Sequence, residues 1–540
     1  MASPAPRPRG RDLGGRDLGG RGRGRRGKKP DAAVTRKTGP ADEAGLGFWQ
    51  VALYIVVALT ILRLAFLRVS PLEFDPAEAA RWLWSRGLAW GYGAWGQGTA
   101  SPLPIWLTAA SSSFCGPGEA CARAVSPLLQ AATAMLLGGA GVALGSWRLG
   151  AWSMLVYATL PGVALRSMWL GADAPLMFFW AAGLYALLRL RRGGGIGWAL
   201  LCGLAAGLGA LSSEAMLLFP FAVTLYLAFS QEGRRSITGT TLSVIAALMV
   251  LALLPNLLWR FEHGAPLAAA AANATLQPSR VGEFLAWQFV IFGPIPLYFL
   301  LRQAIRGRGA PPADGGSGLL SGDDRLLLLC LSLPVLLVFL LLSPLGHASP
   351  IAFAPGAEAT AYVAAALLAA GMALEGRAFA WLKGSVVAQG LIGLAFYGLV
   401  WITPHWHAAP RALAQAVAQF TGWHALGQAL ATQQARELPP PKLLIDGQVP
   451  ASLLLYYAEI PPDGYVLWDA GREGPGGEAP RLRLGDPGPF LHVGTLEKEN
   501  EISQRFTEVH RLSSIIIPVF TGELRRFYLD RLDGFKGYQP

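Results

Sequence analysis

Three groups of charged side chains stand at the ends of apolar runs, where carboxylates and arginines together could hold a phosphorylated lipid and move a proton. The first is Glu73-Phe74-Asp75-Pro76-Ala77-Glu78, with Arg81 and Arg86 on the following turns. The second joins Arg166 to Asp173 in Gly171-Ala172-Asp173-Ala174-Pro175, and the third gathers Arg260, Glu262, His263, Arg280 and Glu283. A charge at membrane depth is costly, so one retained beside an apolar run is a functional candidate. Arginine suits an anionic headgroup because its planar fork meets a phosphate through paired hydrogen bonds, and a carboxylate beside it can serve as base or metal ligand. Glu78, Asp75 and Asp173 are therefore the candidate catalytic residues, and Arg81, Arg86, Tyr92, Arg166 and Arg280 the candidate substrate-binding residues. Each carboxylate has a second reading. Asp75 before Pro76 has the form of a helix N-cap with proline at the first helical position, and Asp173 could cap its helix similarly. His405 and His407 alternate without a third ligand and read as interfacial residues. The chain carries no Walker loop, GxSxG or HExxH pattern, and a divalent metal stays open as a candidate cofactor with its ligands unassigned.

The elements that must position these groups belong to a polytopic α-helical membrane protein. Of 540 residues, 53% are hydrophobic and 15% charged, against about 25% charged in an ordinary soluble domain. Apolar runs long enough to cross a hydrocarbon core of about 30 Å predict eleven spans near 48–68, 126–147, 150–166, 172–190, 196–211, 215–230, 238–258, 284–302, 326–345, 358–375 and 385–403. The net charge of +11 comes mostly from arginines and lysines between Arg7 and Lys37, in a Gly- and Pro-rich stretch with a tandem RDLGG. Such a stretch cannot bury a core, and residues 1–47 read as a disordered, lipid-touching cytoplasmic tail and not as a nucleic-acid site. Basic clusters at Arg148, Arg189/Arg191/Arg192, Arg234/Arg235, Arg302 to Arg308 and Arg377/Lys383 fall on the side of that tail, which orients the spans by the excess of positive charge on the cytoplasmic face. An odd number of spans then places the C-terminus outside the cytoplasm, periplasmic if the membrane is a bacterial inner membrane.

Two segments lie on that outer side. The loop from Ser70 to about Val125 carries Trp82, Trp84, Trp90, Tyr92, Trp95 and Trp106, amphipathic aromatics that predict helices lying at headgroup level. Within it, Cys115 and Cys121 flank a Gly116-Pro117-Gly118 turn on the oxidising side, so a disulfide is one reading and two free thiols the other. Residues 404–540 form the third unit, after the tail and the 48–403 transmembrane unit. Strand-like runs at Leu443 to Asp446, Tyr465 to Asp469, Phe490 to Val493, Ser514 to Val519 and Arg526 to Arg531, with helical runs at Pro450 to Glu459 and Leu496 to Leu512, predict a small α/β domain.

Ala77-Glu78-Ala79-Ala80-Arg81-Trp82, Trp90-Gly91-Tyr92, Pro102-Leu103-Pro104, Asp173-Ala174-Pro175-Leu176-Met177-Phe178-Phe179-Trp180 and the closing Arg526 to Gly537 together resemble the polyprenyl-phosphate-dependent glycosyltransferases of the GT-C superfamily, especially bacterial relatives of the protein mannosyltransferases and of the lipid A aminoarabinose transferase. The resemblance implies a membrane glycosyltransferase whose partners are a polyprenyl-phosphate-linked sugar, a glycolipid or glycan acceptor and membrane lipid, with no nucleic acid. It also exposes departures: the family's catalytic aspartate falls on Ala77, its loop lysine or histidine on Ala100, and a further lysine on Ser213. Glu78 keeps the family's register and is the preferred base, with Asp75 as substitute and Asp173 and the arginines positioning the leaving phosphate. The rival reading is a catalytically inactive relative that binds polyprenyl lipid or an active partner enzyme.

Overall fold

The computed structural model describes residues 40–93, 99–169, 171–263, 276–306, 319–345, 357–375, 378–406, 410–436, 440–447, 449–461, 463–468, 481–494, 502–520 and 523–538. Most of the basic tail, and His407, lie outside them. Among the described residues, five helices are long and apolar enough to cross a membrane: Leu46–Val69, Glu119–Ala143, Gly239–Glu262, Gly322–Leu345 and Phe379–Ile402. A sixth candidate is the pair Ser279–Ile291 and Pro294–Arg306, bent by 113°. Gly293 at the break has φ +83°, a left-handed conformation that glycine adopts freely, and Pro294 after it has no N–H to continue the ladder.

The eleven apolar segments are all helical, yet several are not uninterrupted spans. Pro161 stops the helix Trp147–Thr159 and starts the short helix Pro161–Arg166, so the segment expected at 150–166 is broken. Others are short core elements, of which Thr360–Glu375 is the clearest, with Ala361 and Val363 to Ala370 fully enclosed. A helix that is apolar all round belongs inside, and its alanines let neighbours approach closely. Gly239–Glu262 is the opposite case, with Val250, Leu251, Leu254 and Leu258 exposed, the face an acyl-chain solvent would cover.

The 70–125 loop folds into helices Pro76–Trp84, Pro102–Cys115 and Glu119–Arg123 and a small antiparallel pair, β1 (Tyr92–Gly93) with β2 (Thr99–Ala100). Near the C-terminus, β3 (Lys442–Ile445), β4 (Tyr465–Leu467), β5 (Phe490–Gly494), β6 (Phe506–Phe520) and β7 (Glu523–Phe535) form one sheet in the order β4-β3-β5-β7-β6. β3 runs parallel to β4 and β5, whereas β7 is antiparallel to β5 and β6. Period-two alternation feeds both faces: Leu443, Ile445, Leu491 and Leu529 pack under helices Trp423–Gln434 and Ala451–Tyr457, while Leu444, Phe490 and Leu532 join Phe506 and Phe535 on the other side. The helix expected over Leu496 to Leu512 gives way to strand from Phe506 onward. The long β7 supplies a ladder partner from Phe506↔Phe535 to Phe520↔Glu523, and that tertiary pairing overrides local helical preference.

Candidate active site

Asp75 is the N-cap of Pro76–Trp84, and it forms a capping box. Its Oδ1 accepts the Glu78 N–H at 2.7 Å, and Glu78 Oε2 accepts the Asp75 N–H at 3.3 Å. Pro76 follows because its fixed φ and missing N–H suit the first turn. The cap is enclosed: Asp75 is 7% exposed and Glu78 0%. Burial, and next the Glu78 carboxylate, push the Asp75 pKa above its ordinary value, with Arg81, the Glu78 N–H and Arg123 acting against them.

Glu78 sits in a closed ion pair. Arg123 grips both of its oxygens, Nε to Oε1 at 3.0 Å and Nη2 to Oε2 at 2.6 Å, and also donates to the carbonyls of Leu72 and Glu73 at 2.7 and 2.9 Å. A fork-to-fork pair of this kind occupies both carboxylate oxygens, so Glu78, expected from the sequence to be the base, is engaged by Arg123 here. Ala77, the position aligned with the family's aspartate, faces outward from the same helix. Arg123 had no signal in the sequence beyond its place in the loop, because its partner lies 45 positions away.

The C-terminal unit clamps this loop. The Tyr457 hydroxyl accepts the Phe74 N–H at 2.7 Å and donates to Glu119 at 3.0 Å, and Ser452 donates to the Pro76 carbonyl at 2.7 Å. Glu73 takes the first two N–H groups of the helix Trp423–Gln434, from Trp423 at 2.5 Å and His424 at 3.2 Å, a carboxylate at the positive end of a helix. Glu73 thus joins the loop to the distant domain.

Asp173 is the first residue of Asp173–Arg191 and does not cap it; its partner is Arg166, across the turn at Gly171. A methyl on Gly171 would come 3.1 Å from Asp173 Oδ2, so the turn stays bare beside the pair. Ser126, just beyond Arg123 in sequence, donates to the Trp169 carbonyl at 2.7 Å and links the two charged groups through the backbone. The third group meets a different part of the loop. Asn256 donates to the Trp90 carbonyl at 2.5 Å, Gly91 lies against the Trp259 ring, and Arg260 pairs with Glu214 at 2.5 Å. Glu214, with its side chain half exposed, is a carboxylate that the motif reading passed over, since it follows the departing Ser213; that serine caps the turn Glu214–Leu217.

The remaining candidates have local roles. Arg86 stacks over Trp82 at 4.5 Å, and Arg280 donates to Gln277 at 2.7 Å. Tyr92 closes its own loop by accepting the Ala89 N–H and donating to Gly87. Ala100 pairs with Tyr92 in the small hairpin. His405 is exposed. Among the described residues, no three His, Cys, Asp or Glu side chains converge as a metal donor set.

Cys115 and Cys121 are joined by a disulfide across the Gly116-Pro117-Gly118 turn. It holds the start of Glu119–Arg123 and therefore Arg123 itself. In protein recovered from membranes, alkylation without reductant is expected to leave both cysteines unmodified, and alkylation after reduction to label both. Mass spectrometry of the peptides that contain them checks this.

Residues 99–259 match the family described as dolichyl-phosphate-mannose-protein mannosyltransferase. The lipid A galacturonosyltransferase RgtD of Rhizobium johnstonii is 30% identical over 366 residues, 65% of this chain and 71% of that protein. The chain belongs to the polyprenyl-phosphate-dependent GT-C glycosyltransferases. Two crystal structures of ArnT from Cupriavidus metallidurans share the GT-C fold seen here. The apo form has a TM-score of 0.61 at 12% identity, covering 90% of this chain and 98% of ArnT. The form bound to undecaprenyl phosphate has a TM-score of 0.56 at 15% identity, covering 88% and 97%. As a GT-C glycosyltransferase, the chain is a membrane enzyme that takes its sugar from a polyprenyl-phosphate donor.

Proposed function

We propose that this enzyme transfers an acidic sugar, galacturonic acid or a close analogue, from a polyprenyl phosphate to lipid A or its core sugars on the extracytoplasmic face. The observation that carries the reading is the 30% identity to a lipid A galacturonosyltransferase across 71% of its length. The charge pattern is compatible with it: a uronate on a phosphodiester presents two anionic groups, and Arg81, Arg86, Arg166, Arg260 and Arg280 all lie in the three charged groups described above.

In the proposed reaction, the acceptor hydroxyl attacks the anomeric carbon, the bond from that carbon to the phosphate oxygen breaks, and polyprenyl phosphate leaves with the bonding electrons. The hydroxyl proton passes to Asp75, whose raised pKa suits a base that must later release it. The Asp173–Arg166 pair orients the phosphate, with Arg166 offsetting the charge that grows on it. Glu78, held by Arg123, is a positioning residue that fixes the helix turn under Asp75. A metal would need oxygen ligands from the same carboxylates, and no step here depends on one.

Membranes containing the enzyme, supplied with polyprenyl-phosphate-linked galacturonic acid and lipid A, are expected to yield lipid A heavier by one hexuronate in mass spectra. Transfer of aminoarabinose instead would overturn the choice of sugar, and no transfer from any polyprenyl donor would favour the inactive-relative reading.

The proposal also needs the charged loop and the C-terminal sheet on one face of the membrane, opposite the basic clusters. A periplasm-active reporter fused after Gly537 is expected to be active, and a cytoplasm-active one silent. The reverse pattern would overturn this orientation.

A further inference from the structure

A charged group away from the active site has no role in the proposed reaction. Arg63 lies on the first spanning helix, about 9 Å along the axis before its end at Val69. It is 5% exposed, and its Nη2 donates to the Ala158 carbonyl at 2.6 Å. Ala158 is in the last turn of Trp147–Thr159, where carbonyls lose their partners because Pro161 stops the helix. That contact and a hydrogen bond to the Tyr397 hydroxyl engage two of the five guanidinium donors. They leave the charge unexplained, since among the described residues Arg63 has no Asp or Glu ion-pair partner.

Arg63 also lines a crevice between the first span and the helix Phe379–Ile402, together with Leu62, Thr159, Gly390, Gly393, Leu394 and Tyr397. Gly390 and Gly393 keep it open: a Cβ on Gly393 would stand 3.1 Å from Ala164, and one on Gly390 would stand 3.8 Å from Thr159. Its rim faces lipid, because Leu62 and Leu394 are 44% and 43% exposed and their neighbours Ile61 and Leu391 both 62%. At its wall the Tyr397 hydroxyl donates to the Ala164 carbonyl at 2.7 Å. A buried cation with spare donors, opening sideways to lipid near the headgroup boundary, matches a phosphate carried on acyl chains.

We propose that this crevice is a binding site for an anionic phospholipid, with the lipid phosphate on Arg63 and an acyl chain along Leu62 and Leu394. The site is separate from the glycosyl-transfer centre. Its net negative charge, and not the phosphate alone, is what compensates the guanidinium, so phosphatidylglycerol binds in preference to phosphatidylethanolamine.

Native mass spectrometry of the purified full chain, titrated with phosphatidylglycerol, phosphatidylethanolamine, polyprenyl phosphate and inorganic phosphate, tests the assignment. Arg63→Gln keeps a donor for Ala158 and removes the charge; it is expected to weaken phosphatidylglycerol retention about tenfold, the loss of one charge-assisted contact. Gly390→Leu leaves Arg63 in place and fills the crevice, and the same loss is expected. Polyprenyl phosphate binding is expected to be unchanged in both variants, which separates this site from the donor site. If Arg63→Gln fails to fold, Gly390→Leu decides alone. Undiminished phosphatidylglycerol binding in the folded variants overturns the proposal. Selective loss of polyprenyl phosphate, or displacement of lipid by inorganic phosphate at equal concentration, overturns it as well.

Discussion

Asp75→Asn is expected to lower sugar transfer by about 100- to 10,000-fold, the range for removing a general base, while leaving the protein as stable as the wild type. The two effects separate because asparagine caps a helix about as well as aspartate. Its amide oxygen can still accept the Glu78 N–H that Asp75 now takes at 2.7 Å, and only basicity is lost. The pH profile gives an independent reading. Burial and the Glu78 carboxylate hold the Asp75 pKa above its ordinary value, so kcat/KM should fall on acidification through that raised pKa, at a higher pH than an unperturbed aspartate would give. Asp75→Asn should remove this limb from whatever activity remains. Ala77 faces outward at the aligned catalytic position, so adding Ala77→Asp to the Asp75→Asn variant is expected to restore part of the rate. Rates of hexuronate transfer across pH for the three proteins check the set. An unchanged rate in Asp75→Asn would remove Asp75 from the mechanism and leave Glu78, Asp173 and Glu214 as the remaining candidate carboxylates.

How much of this was legible beforehand depended on sequence distance. The Asp75-Pro76 cap could be read because a capping box spans only three residues, and the cap did form with Glu78 as its second half. The Cys115 to Cys121 pairing was one of two open readings for the same reason: a short Gly-Pro-Gly turn separates them. Glu78 looked free because its partner Arg123 belongs to another helix, and an ion pair between elements leaves no periodicity to count. The hold of Tyr457 on Phe74 bridges 383 positions and had no local trace at all. Span counting meets a different limit. Hydropathy detects apolar runs without saying whether lipid or protein will surround them, so Thr360–Glu375, buried over most of its length, reads like a lipid-facing helix. The strand expected over Ser514 to Val519 starts earlier, at Phe506, and that first half was missed because its register is set by β7, which comes later in the chain.

Arg123 carries the largest expected structural effect. Its guanidinium is 2% exposed and serves Glu78 and the carbonyls of Leu72 and Glu73, so Arg123→Met leaves a carboxylate enclosed without a counter-charge. Breaking a buried pair from one side costs about 3–5 kcal/mol, and the sealed Glu78 has no water to turn to. Glu78 would then be driven to bind a proton, since burial disfavours the charged form. The variant is therefore expected to lose thermal stability and to lose more of it at neutral pH than at acidic pH, the direction set by a carboxyl whose folded pKa has risen above its unfolded value. Glu78→Leu combined with Arg123→Met removes both charges, and replacing both members of a buried pair by apolar groups is often neutral. Recovery should nonetheless be partial, because the Leu72 and Glu73 carbonyls still lose their donor at about 1–3 kcal/mol each. Unfolding midpoints in detergent at two pH values, with transfer rates measured well below those midpoints, distinguish a positioning pair from a catalytic one. If Glu78 only anchors the helix under Asp75, the double variant keeps a measurable rate that Asp75→Asn abolishes; if Glu78 is the base, the double variant is inactive however well it folds.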